Sequence, residues 1–233
     1  DPLVLAKECT TIDYLSDGRL LPVFGVGGDV APEFAATGQG TQGRGARSNE
    51  MLTLLTRLWS EDKVSFEGKY YNYKDVTISP KPKQQPLPVW IGGSSEAAIE
   101  RTAKLGTGWL SGSAQTPAQI GRVITAIRER SAELGRPIDN DHYGCGLSYR
   151  FGSWEEPQVQ RMAQQLQARN PDVDPRAMMA VGGAEEVIQL VEVLRAVGVS
   201  KFVLRPIAST DDDMLEQSRL IAEEVIPYVH KIP

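Results

Sequence analysis

The chain has 233 residues, of which 41% are hydrophobic and 24% charged, and its formal net charge is −5. This balance is typical of a globular chain with a substantial core, and without a Lys/Arg cluster it argues against nucleic acid or an anionic membrane as a partner. No apolar run reaches the roughly 18 residues of a membrane helix, and no signal peptide is visible. We therefore expect a single domain, residues 1–233, in a cytoplasmic protein.

The first part of the chain alternates helical sequence with short apolar segments. The stretch "PLVLAKECTTIDYLSDGR" places Leu5, Cys9, Ile12 and Leu15 on one side of a helix that ends at Gly18. The segment "RLLPVFGVGG" then predicts a buried strand over residues 20–26 that ends in glycines. A polar loop follows over residues 29–45. Loops of this length are often functional, so we interpret it as an insertion and a candidate lid. Ser48 is the predicted N-cap of the next helix.

The rest of the chain continues the alternation. "VSFEGKYYNYKDVTIS" predicts a hairpin-like insertion over residues 64–80. Further strands are predicted near residues 89, 109, 145 and 202, each followed by helical sequence. Together with the strand near residue 20 they make five β-α units. Such regular alternation indicates parallel strands joined by right-handed crossovers, as in an α/β barrel or a doubly wound sheet.

Two of the predicted strands end in glycine-rich turns, at the strand ends where parallel α/β folds bind ligands. The first turn is Gly25-Val26-Gly27, and the second is Gly92-Gly93-Ser94-Ser95. In the second, glycines allow close approach of the backbone to a ligand, while helix-start N–H groups and two hydroxyls suit an anion such as phosphate. The alternative is an ordinary strand-to-helix turn in which Ser94 caps the helix.

Two arginines are candidate partners of such an anion. Arg44 and Arg47 lie in "GRGARSNE", and a guanidinium group can bind a phosphate through two parallel hydrogen bonds. The alternative interpretation is that both are solvated residues at the start of a helix.

Other reactive side chains are sparse in the sequence. The two histidines, His142 and His230, have no second His or Cys at metal-ligand spacing, so no metal site is predicted. Cys9 and Cys145 are predicted to be reduced, partly buried thiols. No Ser/His/Asp triad or catalytic thiol is indicated. An enzymatic function would therefore depend on a bound cofactor.

Four stretches run in order along almost the whole chain: "LAKECTTIDYLSDGRLLPVFGVG", "RGARSNEMLTLLTRLWSEDKVSFEGKYY", "PKPKQQPLPVWIGGSSEAAIERTAKLGTGWL" and "VGGAEEVIQLVEVLRAVGVSKFVLRP". In this combination they resemble the luciferase-like monooxygenase family, the flavin- and deazaflavin-dependent relatives of bacterial luciferase. The resemblance implies a TIM (β/α)8 barrel of the bacterial luciferase-like type, here lacking its first three β-α units. The catalytic residues would then lie in that missing part, so none is assigned.

The resemblance also implies a cofactor, either reduced FMN or coenzyme F420. Its phosphate would approach the turn from Gly92 to Ser94. The turn from Gly25 to Gly27 would line the same pocket, with Arg44 or Arg47 assisting. The look of "GRGARSNE" and "PVWIGGSS" favours F420 by analogy. Because "GVGG" lacks the Arg that light-emitting relatives carry at this strand end, light production is not expected.

The expected function is that of an oxidoreductase. Reduced FMN would support monooxygenation and F420 would support hydride transfer, in either case to a small organic substrate. Membranes and nucleic acids are not expected partners, and a homodimer formed through outer helices is expected by analogy with the family. The alternative from another class is a non-catalytic flavin-binding protein related to luciferase.

Overall fold

The computed structural model of the chain describes residues 1–28, 31–38, 40–112 and 114–230. Within these ranges, eight strands and nine α-helices alternate along the chain. Contacts concentrate in two compact units, Asp1–Trp109 with Arg130–Pro137, and Leu110–Glu129 with the chain from Ile138 onward. The prediction of one domain over residues 1–233 stays a prediction. Among the helices in the described ranges, none combines the length and hydropathy needed to cross a bilayer.

The first unit combines a parallel sheet with an antiparallel hairpin. Strands β1, β4 and β5 are neighbours in that order, and β1 runs parallel to β4. Strands β2 and β3 form the hairpin within residues 64–80. The bounds of its elements are α1 Pro2–Leu15, β1 Val23–Phe24, α2 Ala31–Ala36, α3 Arg44–Ser60, β2 Val64–Glu67, β3 Asn72–Val76, β4 Trp90–Gly92, α4 Glu96–Leu105 and β5 Gly108–Ser111, the last of which continues into the second unit.

The core of the first unit is formed mainly by apolar residues of α1, α3 and β4. One hydrogen bond fixes the two helices together, because the buried indole Nε1 of Trp59 donates to the carbonyl oxygen of Ala6 at 3.1 Å. The buried members of this cluster are Ala6, Cys9, Leu52, Leu54, Leu55, Leu58, Trp59, Val64, Ile78, Leu87, Val89 and Ile91.

A single carboxylate anchors the hairpin to α3. Glu50 accepts hydrogen bonds from the backbone N–H groups of Lys69 and Tyr70, both at 2.9 Å, and of Tyr71 at 3.3 Å. Gly68 makes room for it, since a Cβ atom there would lie 2.4 Å from Glu50 Oε2. The hairpin tip is thereby fixed over the amino-terminal half of α3.

The second unit is organised around its longest strand, β6. This strand pairs in parallel with β7 over Ser148 to Phe151 and with β8 over Gly144 to Tyr149. The bounds of its elements are α5 Pro117–Glu133, whose last turn belongs to the first unit, β6 Tyr143–Phe151, α6 Pro157–Arg169, β7 Met179–Gly182, α7 Ala184–Ala196, β8 Lys201–Pro206, α8 Asp211–Leu220, a π-helical turn Ile221–Val225 and α9 Ile226–Val229.

The structure corrects several local predictions. The first strand is shorter than residues 20–26 and spans Val23–Phe24. The helix predicted from Ser48 begins at Arg44, because Gly43 turns the chain in the left-handed region at φ 68° and Arg and Ala are good helix formers.

Two elements were not predicted from the sequence. The loop predicted over residues 29–45 contains the helix α2, while Asp29, Val30 and Gln39 of that loop lie outside the described residues. The strand β7 is also additional to the five predicted β-α strands. Its residues, Met179–Gly182, are a run of four without polar alternation, which sequence periodicity cannot distinguish from a helix start.

A partly buried ion network closes the carboxyl ends of β6 and β8. The Arg150 side chain, 12% exposed, donates to Glu156 at 2.7 Å and also pairs with Asp213. It reaches the carbonyl oxygen of Ile207 at 3.3 Å as well. One guanidinium therefore holds the segments that follow both strands.

This network predicts how stability depends on pH. Bonding to Arg150 lowers the pKa of Glu156, and bonds from the Ser209 backbone and then Arg150 lower that of Asp213. Lowered folded-state pKa values contribute stability that is present above the unfolded values, about 4, and lost as pH falls through the folded values. Arg150→Gln should therefore lower stability at pH 7 by about 2 kcal/mol or more and flatten the acid loss.

Urea unfolding at pH 7, 5 and 3 measures both effects. Arg169→Gln, at an exposed position on α6, is the matched control and should behave as the wild type. An unchanged acid slope in Arg150→Gln would contradict the assignment of this slope to the network.

Candidate functional site

The two predicted glycine turns lie side by side. Because β1 and β4 are parallel and Phe24 stands opposite Ile91, Gly25 and Gly92 leave neighbouring strands at the same carboxyl edge. Hydrogen-bonded strands lie about 4.8 Å apart. The structure therefore brings Gly25-Val26-Gly27 and Gly92-Gly93 together, as the sequence predicts for a ligand-binding edge.

The turn after β4 is held in one conformation. Gly93 has φ 110°, which a residue with a side chain rarely adopts, and a Cβ atom there would lie 3.1 Å from the Cβ of Ala98. The Gly93 carbonyl oxygen accepts a 2.7 Å hydrogen bond from the indole Nε1 of Trp109. Trp109 itself is fully buried. The core thus fixes the backbone that leads into α4.

The two serines of this turn have different roles. Ser95 is the N-cap of α4 and its hydroxyl accepts from the backbone N–H of Ala98 at 3.3 Å. The sequence interpretation that Ser94 caps the helix is therefore wrong. Ser94 is exposed, and its hydroxyl has no hydrogen-bond partner among the described residues. The start of α4 offers a free hydroxyl beside the N–H groups of its first turn.

At a second Gly-Gly turn, in the other unit, a side chain of the following helix occupies a backbone donor of the helix start. At Gly182-Gly183 the N–H of Gly183 donates to the carboxylate of Glu186 at 2.7 Å. This bond lowers the pKa of Glu186, and Glu185 adds a second negative charge to the first turn of α7. An anion is excluded there by the helix's own carboxylates, whereas the cap of α4 is a neutral hydroxyl.

The structure places Arg44 and Arg47 against the preceding loop. Arg44 Nη1 donates to the carbonyl oxygen of Gly28 at 3.1 Å, and Arg47 Nη2 to that of Gly40 at 3.5 Å. Both arginines belong to the first turn of α3. The described contacts tie them to the loop; a phosphate contact for either stays a prediction.

Helix α2 covers the first glycine turn. Gly27 has φ 76°, and a Cβ atom there would lie 3.3 Å from the ring of Phe34. The guanidinium of Arg44 lies 5.8 Å from the centre of the same ring. Phe34 therefore links the turn after β1 to the start of α3, although its only signal in the sequence is that of one aromatic residue in a polar loop.

Sequence reasoning also missed Arg101. It is 6% exposed on α4, donates from Nε to Asn49 Oδ1 at 2.6 Å and from Nη2 to the Gly45 carbonyl oxygen at 3.2 Å. The available signal was its place in "AAIERTAKL", because helical spacing puts it on the same face as the buried Ala98.

The remaining titratable clusters do not favour catalysis. Asp139, Asp141 and His142 place ligand atoms within 4.8 Å of one another before β6, but Lys201 binds Asp141 and is the main cause of its lowered pKa. This ammonium already supplies the positive charge that a metal ion would bring. Cys145 is buried, and burial raises its pKa to about 12, so little thiolate forms near neutral pH.

Comparison with known proteins identifies the family. Residues 1–152 match the family described as luciferase-like monooxygenase. Because this is more than half of the chain, the chain belongs to the luciferase-like monooxygenase family. The family predicted from the four sequence stretches is thereby confirmed, and so is the α/β barrel fold class predicted with it.

Two curated relatives name the two cofactors that the sequence predicted. The chain is 33% identical over 141 residues to the FMNH(2)-dependent dimethylsulfone monooxygenase of Pseudomonas putida, covering 59% of this chain and 38% of that protein. It is 32% identical over 140 residues to the F420-dependent glucose-6-phosphate dehydrogenase of Kineococcus radiotolerans, covering 58% and 41%. The chain therefore spans about two fifths of the length of these relatives.

Solved structures support the same fold. The crystal structure of monooxygenase RslO1 from Streptomyces bottropensis superposes with a TM-score of 0.81 at 22% identity, covering 98% of this chain and 74% of that one.

Substitution of the two serines of the turn should change the free energy of unfolding by different amounts. Ser95→Ala removes the N-cap of α4 and should lower the free energy of unfolding by about 1 kcal/mol. Ser94→Ala removes a hydroxyl with no described partner and should change it by less than about 0.5 kcal/mol. Chemical denaturation of both variants checks the assignment; equal losses would mean that Ser94 also has a structural role.

Proposed function

We propose that the protein is an oxidoreductase that binds a phosphorylated flavin or deazaflavin, reduced FMN or coenzyme F420. The observation that carries this proposal is the rigid turn from Gly92 to Ser95. It combines a backbone that admits close approach, a neutral cap and an unengaged hydroxyl at a helix start, which together suit a phosphate group. The family membership and the cofactors named for the two relatives support the same assignment.

Within this proposal each residue has a physical task. Gly92 and Gly93 let the phosphate approach the backbone, and Ser94 donates a hydroxyl to it. Gly25, Val26 and Gly27 form the neighbouring wall of the pocket. Ser95 keeps the helix start in place through its cap. The bound cofactor supplies the hydride or the activation of oxygen, and the chain binds, orients and shields it.

The substrate is proposed to be a small organic molecule. Neither nucleic acid nor a membrane is a proposed partner, since the net charge is −5 and no described helix could cross a bilayer. A cytoplasmic location is proposed with it. We also propose a homodimer, because α1 exposes Val4, Ile12 and Leu15 at 55%, 51% and 83%. Sedimentation of the full-length protein tests the dimer.

A non-catalytic flavin-binding protein is the alternative function. The open helix start suits it equally, because storage and catalysis both require a bound phosphate. The two differ in turnover: an oxidoreductase consumes its reduced cofactor faster in the presence of a substrate, whereas a storage protein does not.

Cofactor titration tests the proposal directly. Fluorescence titration of the full-length protein with FMN and with F420 should show saturable binding of one of them. Ser94→Ala should weaken it about tenfold, because a hydrogen bond to a charged group is lost. Ser60→Ala removes a hydroxyl that bonds within α3 and serves as the control. If neither cofactor binds, the oxidoreductase proposal fails.

The segment that carries α2 is proposed to act as a lid over the cofactor. Phe34→Ala removes the ring that contacts Gly27 and Arg44, so the lid should open more often and the cofactor should dissociate about tenfold faster. Stopped-flow displacement measures this rate. Tyr14→Ala, at an exposed aromatic residue on α1, is the control. An unchanged dissociation rate in Phe34→Ala would remove the lid.

A further inference from the structure

Arg101 is a buried cation held only by neutral groups. Its two hydrogen bonds go to the amide oxygen of Asn49 and the backbone carbonyl of Gly45, and no carboxylate among the described residues pairs with it. By contrast, Arg150 has two carboxylate partners. Burying a charge without a counter-charge is costly, even where hydrogen bonds satisfy part of the group.

The electrostatic surroundings of Arg101 reflect this imbalance. Desolvation lowers its pKa, with no nearby carboxylate opposing that effect. A guanidinium nevertheless keeps its proton near neutral pH. The folded chain therefore retains a positive charge on a residue that is only 6% exposed to solvent.

The guanidinium of Arg101 reaches from α4 to the amino-terminal part of α3. Gly45, its acceptor, is the second residue of α3, and long side chains on a helix lean toward its amino terminus, which for α4 is the turn at Ser95. The first turn of α3 has no acidic residue and no side-chain cap. The first turn of α4 has one acidic residue, the exposed Glu96. Each helix start and the buried cation therefore carry positive charge that favours a nearby anion.

The proposed phosphate needs such a charge. The Gly92 to Ser95 turn itself supplies only neutral donors, and Glu96 opposes an anion beside it. A basic group would offset that carboxylate. Arg44 and Arg47 are only half-buried and bind the preceding loop, whereas Arg101 is buried on α4. Arg101 belongs to the helix whose start forms the turn, so its position relative to the turn is fixed by α4.

We propose that Arg101 is a positioning residue of the cofactor site, whose buried charge balances the cofactor phosphate bound at the Gly92 to Ser95 turn. Its bonds to Asn49 and Gly45 also hold the first turn of α3 against α4. This inference rests on the proposed function. It adds that affinity for the phosphate, more than for the ring system, depends on a residue that does not line the turn.

Asn49→Asp tests this while leaving Arg101 in place. The change is isosteric, lies at an exposed position and puts a carboxylate on the oxygen that Arg101 already binds. A permanent counter-charge should raise the melting temperature. It should also reduce the preference for FMN over riboflavin, or for F420 over its deazaflavin precursor without phosphate, by about tenfold.

A matched control separates a local pairing from a general charge effect. Ser48→Asp adds the same charge at the neighbouring position of α3, where no bond to Arg101 exists, and should change the preference by less than about twofold. All affinities are measured by fluorescence titration of the full-length protein, and melting temperatures by calorimetry without cofactor.

The outcomes decide between the two proposals. A higher melting temperature with an unchanged preference in Asn49→Asp means that Arg101 is only structural, and overturns the inference. An equal loss of preference in Ser48→Asp overturns it as well. A wild type that binds phosphorylated and unphosphorylated cofactors equally well overturns the inference and the placement of the phosphate at this turn, but leaves cofactor binding in place. A wild type that binds neither FMN nor F420 removes the proposed function, and the inference with it.

Discussion

The parallel pairing of β1 with β4 is the constraint on which the candidate site depends. With Phe24 opposite Ile91, both chains leave the sheet at the same level, so two glycine turns 67 residues apart in sequence become neighbours. A shift of one residue would turn the side chains of one strand to its opposite face. The buried Trp90 and Ile91 oppose such a shift, and Trp109 then holds the second turn through the carbonyl of Gly93.

Charge placement distinguishes the helix starts of this chain. At α7 the carboxylate of Glu186 occupies the backbone donors, and at β6 and β8 the two carboxylates that meet Arg150 neutralise it. These are closed arrangements in which each charge has its partner. At α4 the cap is a hydroxyl and the nearby Arg101 has only neutral partners. An anionic ligand would supply the missing counter-charge in this second arrangement. In both arrangements, a charge is stabilised by a partner of opposite sign.

Much of the fold and part of the site were predictable from the sequence. Strong helical periodicity and apolar strands bounded by glycine or proline located most elements. The glycine turns were predicted from their composition alone, since few other residues adopt such backbone angles. Two elements with weak sequence signals were not predicted. Helix α2 lies in a polar segment, and strand β7 has four residues without alternation. Ser94 and Ser95 are both good capping residues, so only the hydrogen bond to Ala98 identified which one caps α4.

The sequence by itself determined the family, the order of most elements and the two turns, because these depend on local backbone preferences and on motifs of neighbouring residues. The tertiary structure alone decided which side chains meet across the chain. Arg101 and Asn49 are 52 positions apart, and the bonds of Arg44 and Arg47 to the loop follow from how α3 packs. Burial and charge pairing arise only when distant segments come together, so the electrostatic balance of the site could not be predicted from sequence spacing.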